Sequence, residues 1–173
     1  MNNYRITKYN PKYRNDDGTY QKDEWILYSQ IGQEFEDGIL TKEKYEKIEN
    51  SYATALSFVE EANIDHLVIH DLQNHKGGVL KNNSKVSKDR LKEIIRDILR
   101  EKYWCRLQGN NGFYIHFGWD YYMYLGTPFD SAKSKLVGKK LGLFIEEIEE
   151  SPYKKMKPNH TASGNQASPV ARS

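Results

Sequence analysis

The stretch Trp104–Pro128, WCRLQGNNGFYIHFGWDYYMYLGTP, decides how this chain reads. It is the densest run of aromatic and β-prone residues in the protein. Aromatic and β-branched side chains fit a pleated, half-buried surface, so the run reads as strands. Gly109-Asn110-Asn111-Gly112 is a turn signal, because Asn and Gly tolerate the positive φ of tight hairpins. Gly118-Trp119 offers a second turn. Three strands are expected, Tyr103–Gln108, Phe113–Phe117 and Tyr121–Leu125, forming an antiparallel meander.

The register at the second turn sets what each face carries. A two-residue turn pairs Phe117 with Asp120 and puts Tyr122 and Tyr124 on the face of Phe113 and Ile115. A three-residue turn pairs Phe117 with Tyr121. It sorts Phe113, Ile115, Phe117, Tyr121, Met123 and Leu125 onto one apolar face. Only one face of an antiparallel sheet has to be buried, and a one-residue slip exchanges every side chain. The three-residue register sorts more cleanly and is the expectation here, although a Gly-first turn favours the two-residue one. The second face then carries Tyr114, His116, Tyr122 and Tyr124, joined by Arg106 from the neighbouring strand. Tyr and Arg are enriched at interfaces and also stack on bases. These five are the candidate binding residues. The competing reading is that helices cover this face too, each Tyr hydroxyl finding a local partner.

Outward from this centre, Tyr4–Tyr9 alternates as a first strand, ended by Asn10-Pro11. Asn15-Asp16-Asp17-Gly18 is a turn, and Trp25–Ile31 reads as a second strand. Thr41 is a helix N-cap, with Leu40 and Tyr45 placed for a hydrophobic staple. Tyr45, Ile48, Tyr52, Leu56 and Val59 form one apolar stripe on a helix over Lys42–Ala62, its charged residues facing solvent. His66–Leu72 is a strand, and Asn74–Lys85 a polar loop. Ser87 opens a second helix running to Lys102, with Leu91, Ile94, Ile95, Ile98 and Leu99 inward. After Thr127-Pro128 a third helix is expected from Ser131 to about Glu150. Leu136, Val137, Leu141, Phe144, Ile145 and Ile148 lie on one side of it, and Gly138 and Gly142 permit close packing. Glu146, Glu147, Glu149 and Glu150 would crowd its C-terminal end, where the helix dipole disfavours negative charge. Residues 154–173 read as a disordered polar tail after a single domain of residues 1–153.

Composition narrows the function classes. The chain has 173 residues, 38% hydrophobic and 29% charged, within the globular range. A formal charge of +2 does not by itself indicate nucleic acid. One cysteine, Cys105, excludes an internal disulfide and reads as a small buried hydrophobe. With no signal-like apolar run and no membrane-length stretch, a cytoplasmic protein without a membrane partner is expected. His66 and His70 share a face, but on a strand they lie roughly 13 Å apart, too far to bind one ion. Gly77-Gly78 beside Lys76 lacks the ending of a phosphate loop. No metal, cofactor or catalytic residue is assigned. The best catalytic constellation is His116 with Arg106, Tyr114, Tyr122 and Asp120, which would suit a metal-independent ribonuclease if a second histidine came close.

The segments YRITKYNP and FYIHFGWDYYMYLG resemble small bacterial proteins of the immunity or antitoxin type. The resemblance implies a bacterial protein that binds a protein partner, such as a toxin, and implies no catalytic residue. The expectation is therefore an α+β fold with an antiparallel sheet and about three amphipathic helices on one face. Its function would be non-enzymatic inhibition of a protein partner through the aromatic face. The alternative is RNA or nucleotide binding, with cleavage by His116 and Arg106.

Overall fold

The computed structural model describes residues 1–17, 19–118 and 121–152. Gly18, Trp119, Asp120 and the polar segment after Pro152 lie outside the described residues. The tail expected at 154–173 and the role weighed for Asp120 lie there too.

The architecture is α+β. Its strands are β1 (Asn2–Thr7), β2 (Glu34–Phe35), β3 (Gly38–Ile39), β4 (His66–Asn74), β5 (Lys85–Ser87), β6 (Tyr103–Gln108), β7 (Tyr114–Phe117), β8 (Met123–Thr127) and β9 (Phe144–Ile148). The helices are α1 (Lys42–Ser51), α2 (Thr54–Glu61), α3 (Leu91–Leu99) and α4 (Ala132–Lys140). Seven strands form one sheet in the order β5-β4-β6-β7-β8-β1-β9, and every neighbouring pair is antiparallel. Strands β2 and β3 make a separate small hairpin around Asp37-Gly38.

The central meander forms as the turn chemistry requires. Asn111 and Gly112 take φ of 52° and 79° between β6 and β7. The second turn is two residues longer than the expected register requires. Phe117 pairs with Met123 rather than Tyr121, and Gly118 N donates to Tyr122 O at 2.7 Å. Tyr121 closes the loop at φ 61° and drives its ring into the core, where its hydroxyl bonds Tyr45 Oη and, at 3.2 Å, Leu99 O. The slip covers an even number of residues, so the two faces keep their side chains. Ile115, Phe117, Met123 and Leu125 are all buried with Ile6, Leu67, Ile69 and Leu107. Helix residues Phe58, Val59, Leu91, Ile94 and Ile95 belong to the same hydrophobic cluster.

Four elements depart from expectation, each for a local reason. The helix expected over Lys42–Ala62 breaks after Ser51, where Tyr52 and Ala53 donate to carbonyls three residues back, Glu49 O and Asn50 O. Thr41 does cap its start, accepting from Lys44 N at 3.2 Å. Trp25–Ile31 is not a strand. Gln30 Oε1 accepts from both Ile26 N and Leu27 N, at 2.7 and 2.9 Å, in place of a ladder partner. A further strand, β5, follows the polar loop over Lys85–Ser87, so Ser87 ends a strand and the second helix, expected from there, begins at Leu91.

The largest departure is the last helix, which stops at Lys140. Gly142 takes φ 84°, and Phe144–Ile148 pairs with β1 instead. Its glutamates therefore never meet a helix C-terminus. Gly138 packs closely, as expected, because a Cβ there would strike Ile145. Leu136 and Leu141 are exposed rather than inward.

Not all charge on the helices faces water. Glu49 is buried and accepts from Arg96 Nε at 3.1 Å and Arg100 Nε at 2.6 Å, tying α1 to α3. Among the described residues no helix is long and apolar enough to cross a membrane.

Candidate functional site

Alternation along six strands builds one continuous row on the sheet face away from the helices. Its members are His70, Arg106, His116, Tyr124, Arg5 and Glu146, each the direct cross-strand partner of the next. Directly opposed side chains in a sheet sit close enough to interact, so the row works as a unit. Arg106 bonds the Asp71 carboxylate at 3.1 and 3.2 Å. At the other end Glu146 receives both Arg5 and Arg14 through paired N–H bonds of 2.8–3.1 Å. Burial alone would raise the Glu146 pKa, but the two guanidinium groups together hold it below the usual carboxylate value.

The rings of this face form a ladder. Tyr114, His116 and Tyr124 stack with centroid separations of 5.8 and 5.0 Å, and Tyr122 continues the series through Tyr9 to Tyr20. The expectation that Tyr114, His116, Tyr122 and Tyr124 look outward together holds only in part. All four share the face, yet Tyr114 and His116 are buried while Tyr122 and Tyr124 are half-buried. Their partners come from remote segments: Ser151 Oγ lies 2.6 Å from His116 Nε2, and Tyr114 Oη donates to Asn3 Oδ1 at 2.8 Å.

That cover bears on the acid–base reading. Burial, and secondarily the Arg106 charge, push the His116 imidazole down to about 4. It is neutral at pH 7 and a weak base. His116 is 4% exposed and Arg106 is engaged by Asp71; the two meet as cross-strand neighbours, and His116 reaches the lining of a cavity. The only cysteine, Cys105, is on the opposite face, buried in the core, and burial raises its thiol to about 12.

Beside β6 and β7 lies a cavity of about 740 Å³, lined both by residues of this face and by core-side residues. Trp104, Phe117, Tyr121 and Tyr124 form its aromatic wall, and Ile98 and Leu99 at the end of α3 its aliphatic side. Gln73, His75, Lys76 and Glu101 supply its polar groups. Local irregularities open the space. The register of β4 slips between His70 and Gln73, with Asp71 at φ 54°, and Glu101 takes φ 56° ahead of β6. Trp104 is oriented by its indole N–H, which donates to Phe117 O at 2.6 Å. A concave, mostly apolar site with few polar groups is the usual form of a ligand site.

Of the five residues singled out from sequence, Tyr124 and His116 touch this cavity, whereas Arg106, Tyr114 and Tyr122 do not line it. Trp104, Tyr121, His75 and Lys76 were missed. Trp104 carried a signal, since it alternates with Arg106 along β6. Lys76 carried none, because its place depends on how a loop folds back. His66 and His70 stay on one strand, and among the described residues no three His, Cys, Asp or Glu side chains converge as a metal site. Compared with known proteins, the chain matches no family model, no curated protein and no solved structure.

Proposed function

We propose that this is a non-enzymatic binding protein of the immunity or antitoxin type, which masks a protein partner by receiving its apolar side chains in the aromatic cavity. The observation that carries the reading is the cavity wall of Trp104, Tyr121 and Tyr124, large rings set in a concavity of about 740 Å³. Buried aromatic anchors are what concentrate binding energy at protein interfaces. The test is co-purification from a bacterial lysate with the intact chain and with Trp104→Ala and Tyr124→Ala. The reading expects a stoichiometric partner that both variants lose and that Lys12→Ala retains. Recovery of no such partner, or equal recovery by all variants, removes it.

One observation favours RNA binding as a second reading. Lys76, Lys81, Lys85, Lys88 and Arg90 are all exposed on the β4–β5 hairpin and the turn after it. That reading expects affinity for single-stranded RNA that falls steeply with salt. Affinity unchanged by Lys81→Glu with Lys85→Glu would end it.

A further inference from the structure

We infer that the cavity takes the C-terminal end of a polypeptide, with an apolar or aromatic last residue against Trp104 and Tyr124 and the terminal carboxylate at Lys76. This rests on the binding reading above and specifies the part of the partner that enters.

The argument begins with the charges on the lining. Among the described residues the cavity has one lysine, Lys76, and one carboxylate, Glu101. Lys44, Lys102 and Lys135 each hold a carboxylate within 3.0 Å. Among the described residues Lys76 makes no such pair, with Glu101 or with any other. Its backbone is nevertheless held in place. Lys76 N and His75 N both donate to Lys102 O, at 3.1 and 3.0 Å, so the loop is pinned to the start of β6 beside Trp104. A cation on the lining of an apolar cavity selects an occupant with an apolar body and a single anion. His75 adds a second possible donor to that anion.

Glu101 narrows the choice. A carboxylate on the same lining repels an occupant with a second negative group and accepts N–H donors, which an incoming backbone carries. Gln73 can serve both a backbone N–H and a C=O. The volume, about 740 Å³, exceeds one side chain, so it suits the last few residues of a chain better than a lone acid. An internal segment would bring the apolar side chain and the amides but no terminal anion for Lys76. Capture of a terminal carboxylate by local donors is an established mode of peptide recognition.

The test uses the full chain and three probes in calorimetric titrations. The first is the pentapeptide Gly-Ser-Gly-Leu-Phe with a free C-terminus, the second the same peptide as its C-terminal amide, the third N-acetyl-phenylalanine. The free peptide is expected to bind at one site, at least tenfold more tightly than the amide. Lys76→Ala should lower it to the level of the amide, and Lys76→Arg should restore most of the difference. Lys76 is exposed, so neither variant endangers folding. Equal affinity for acid and amide, or no binding of either, overturns the inference. N-acetyl-phenylalanine binding as tightly as the peptide also overturns it, in favour of a small organic acid. If the peptides do not bind but Trp104→Ala still abolishes partner capture, this inference fails while the binding reading stands. If the peptides bind as expected but no partner is captured, the reverse holds.

Discussion

Ser151 Oγ sits 2.6 Å from His116 Nε2, joining two residues 35 positions apart and closing the sheet face over the imidazole. The contact is made to a ring that burial keeps neutral, so it exists at the expense of protonation. Acid must therefore act against the fold at this point.

The His116 imidazole is held at about 4, below its ordinary 6.5. Between those values the unfolded chain binds a proton that the folded chain refuses, so stability falls as pH drops from 6.5 towards 4. The stabilisation is complete above 6.5. Urea midpoints taken at intervals from pH 7 to 4.5 should decline more steeply for the native sequence than for His116→Phe. Parallel curves for the two proteins would refute the assignment.

Lys8 predicts a slope of the same sign in alkali. Its ammonium is buried between the rings of Tyr9 and Trp25, at 4.0 and 4.1 Å, and bonds Glu24 at 3.0 Å. Burial outweighs these partners and lowers it from 10.5 to about 8. Between those values the folded chain has shed a proton that the unfolded chain keeps, so stability rises with pH. The window to measure is about pH 8 to 9.5, below the ordinary tyrosine value of 10.0. Lys8→Met should flatten the rise, as judged by denaturant midpoints across that window.

Gly126 is required by Tyr114. The Tyr114 ring lies across the Gly126 backbone on its way to Asn3, and a Cβ at Gly126 would fall within the ring. Gly126→Ala should cost roughly 1–3 kcal/mol, the usual range for overpacking a tight site. Adding Tyr114→Ala should return part of that loss in a double-mutant cycle. Strict additivity of the two substitutions would mean the clash is not the cause.

Glu49 couples α1 to α3. Its carboxylate is 3% exposed, while Arg96 and Arg100 retain 41% and 23%. Glu49→Ala should destabilise by about 1–3 kcal/mol, less than a fully buried pair, because both arginines still reach water. Arg96→Ala alone should cost less, since Arg100 makes two of the three bonds to Glu49. Equilibrium unfolding of the two variants measures the order directly.

Much of the fold could be read from alternation and turn chemistry. The parity of Phe113 to Leu125 placed Ile115 and Met123 inside and His116 and Tyr124 on the other face, and it survived a displaced turn because the slip was even. Thr41 as a cap and Asn111-Gly112 as a turn rest on one residue's own conformational preference. Phe144–Ile148 could not be read this way. LFIEEI carries part of a helical stripe and lacks the clean alternation of a half-buried strand. The outcome was settled by the open edge of β1 and by Arg5 and Arg14, which place their charge where Glu146 stands in the strand.

The candidate site was legible to a smaller degree. Which side chains share a face follows from the two-residue period of a strand, a property each segment carries alone. Which of them meet water depends on cover delivered by remote segments, Ser151 over His116 and Arg14 against Glu146. So the amino-acid order determined the aromatic row and its membership. Only the tertiary structure decided that its middle is closed and that the opening lies beside Trp104, because burial is a relation between distant parts of the chain.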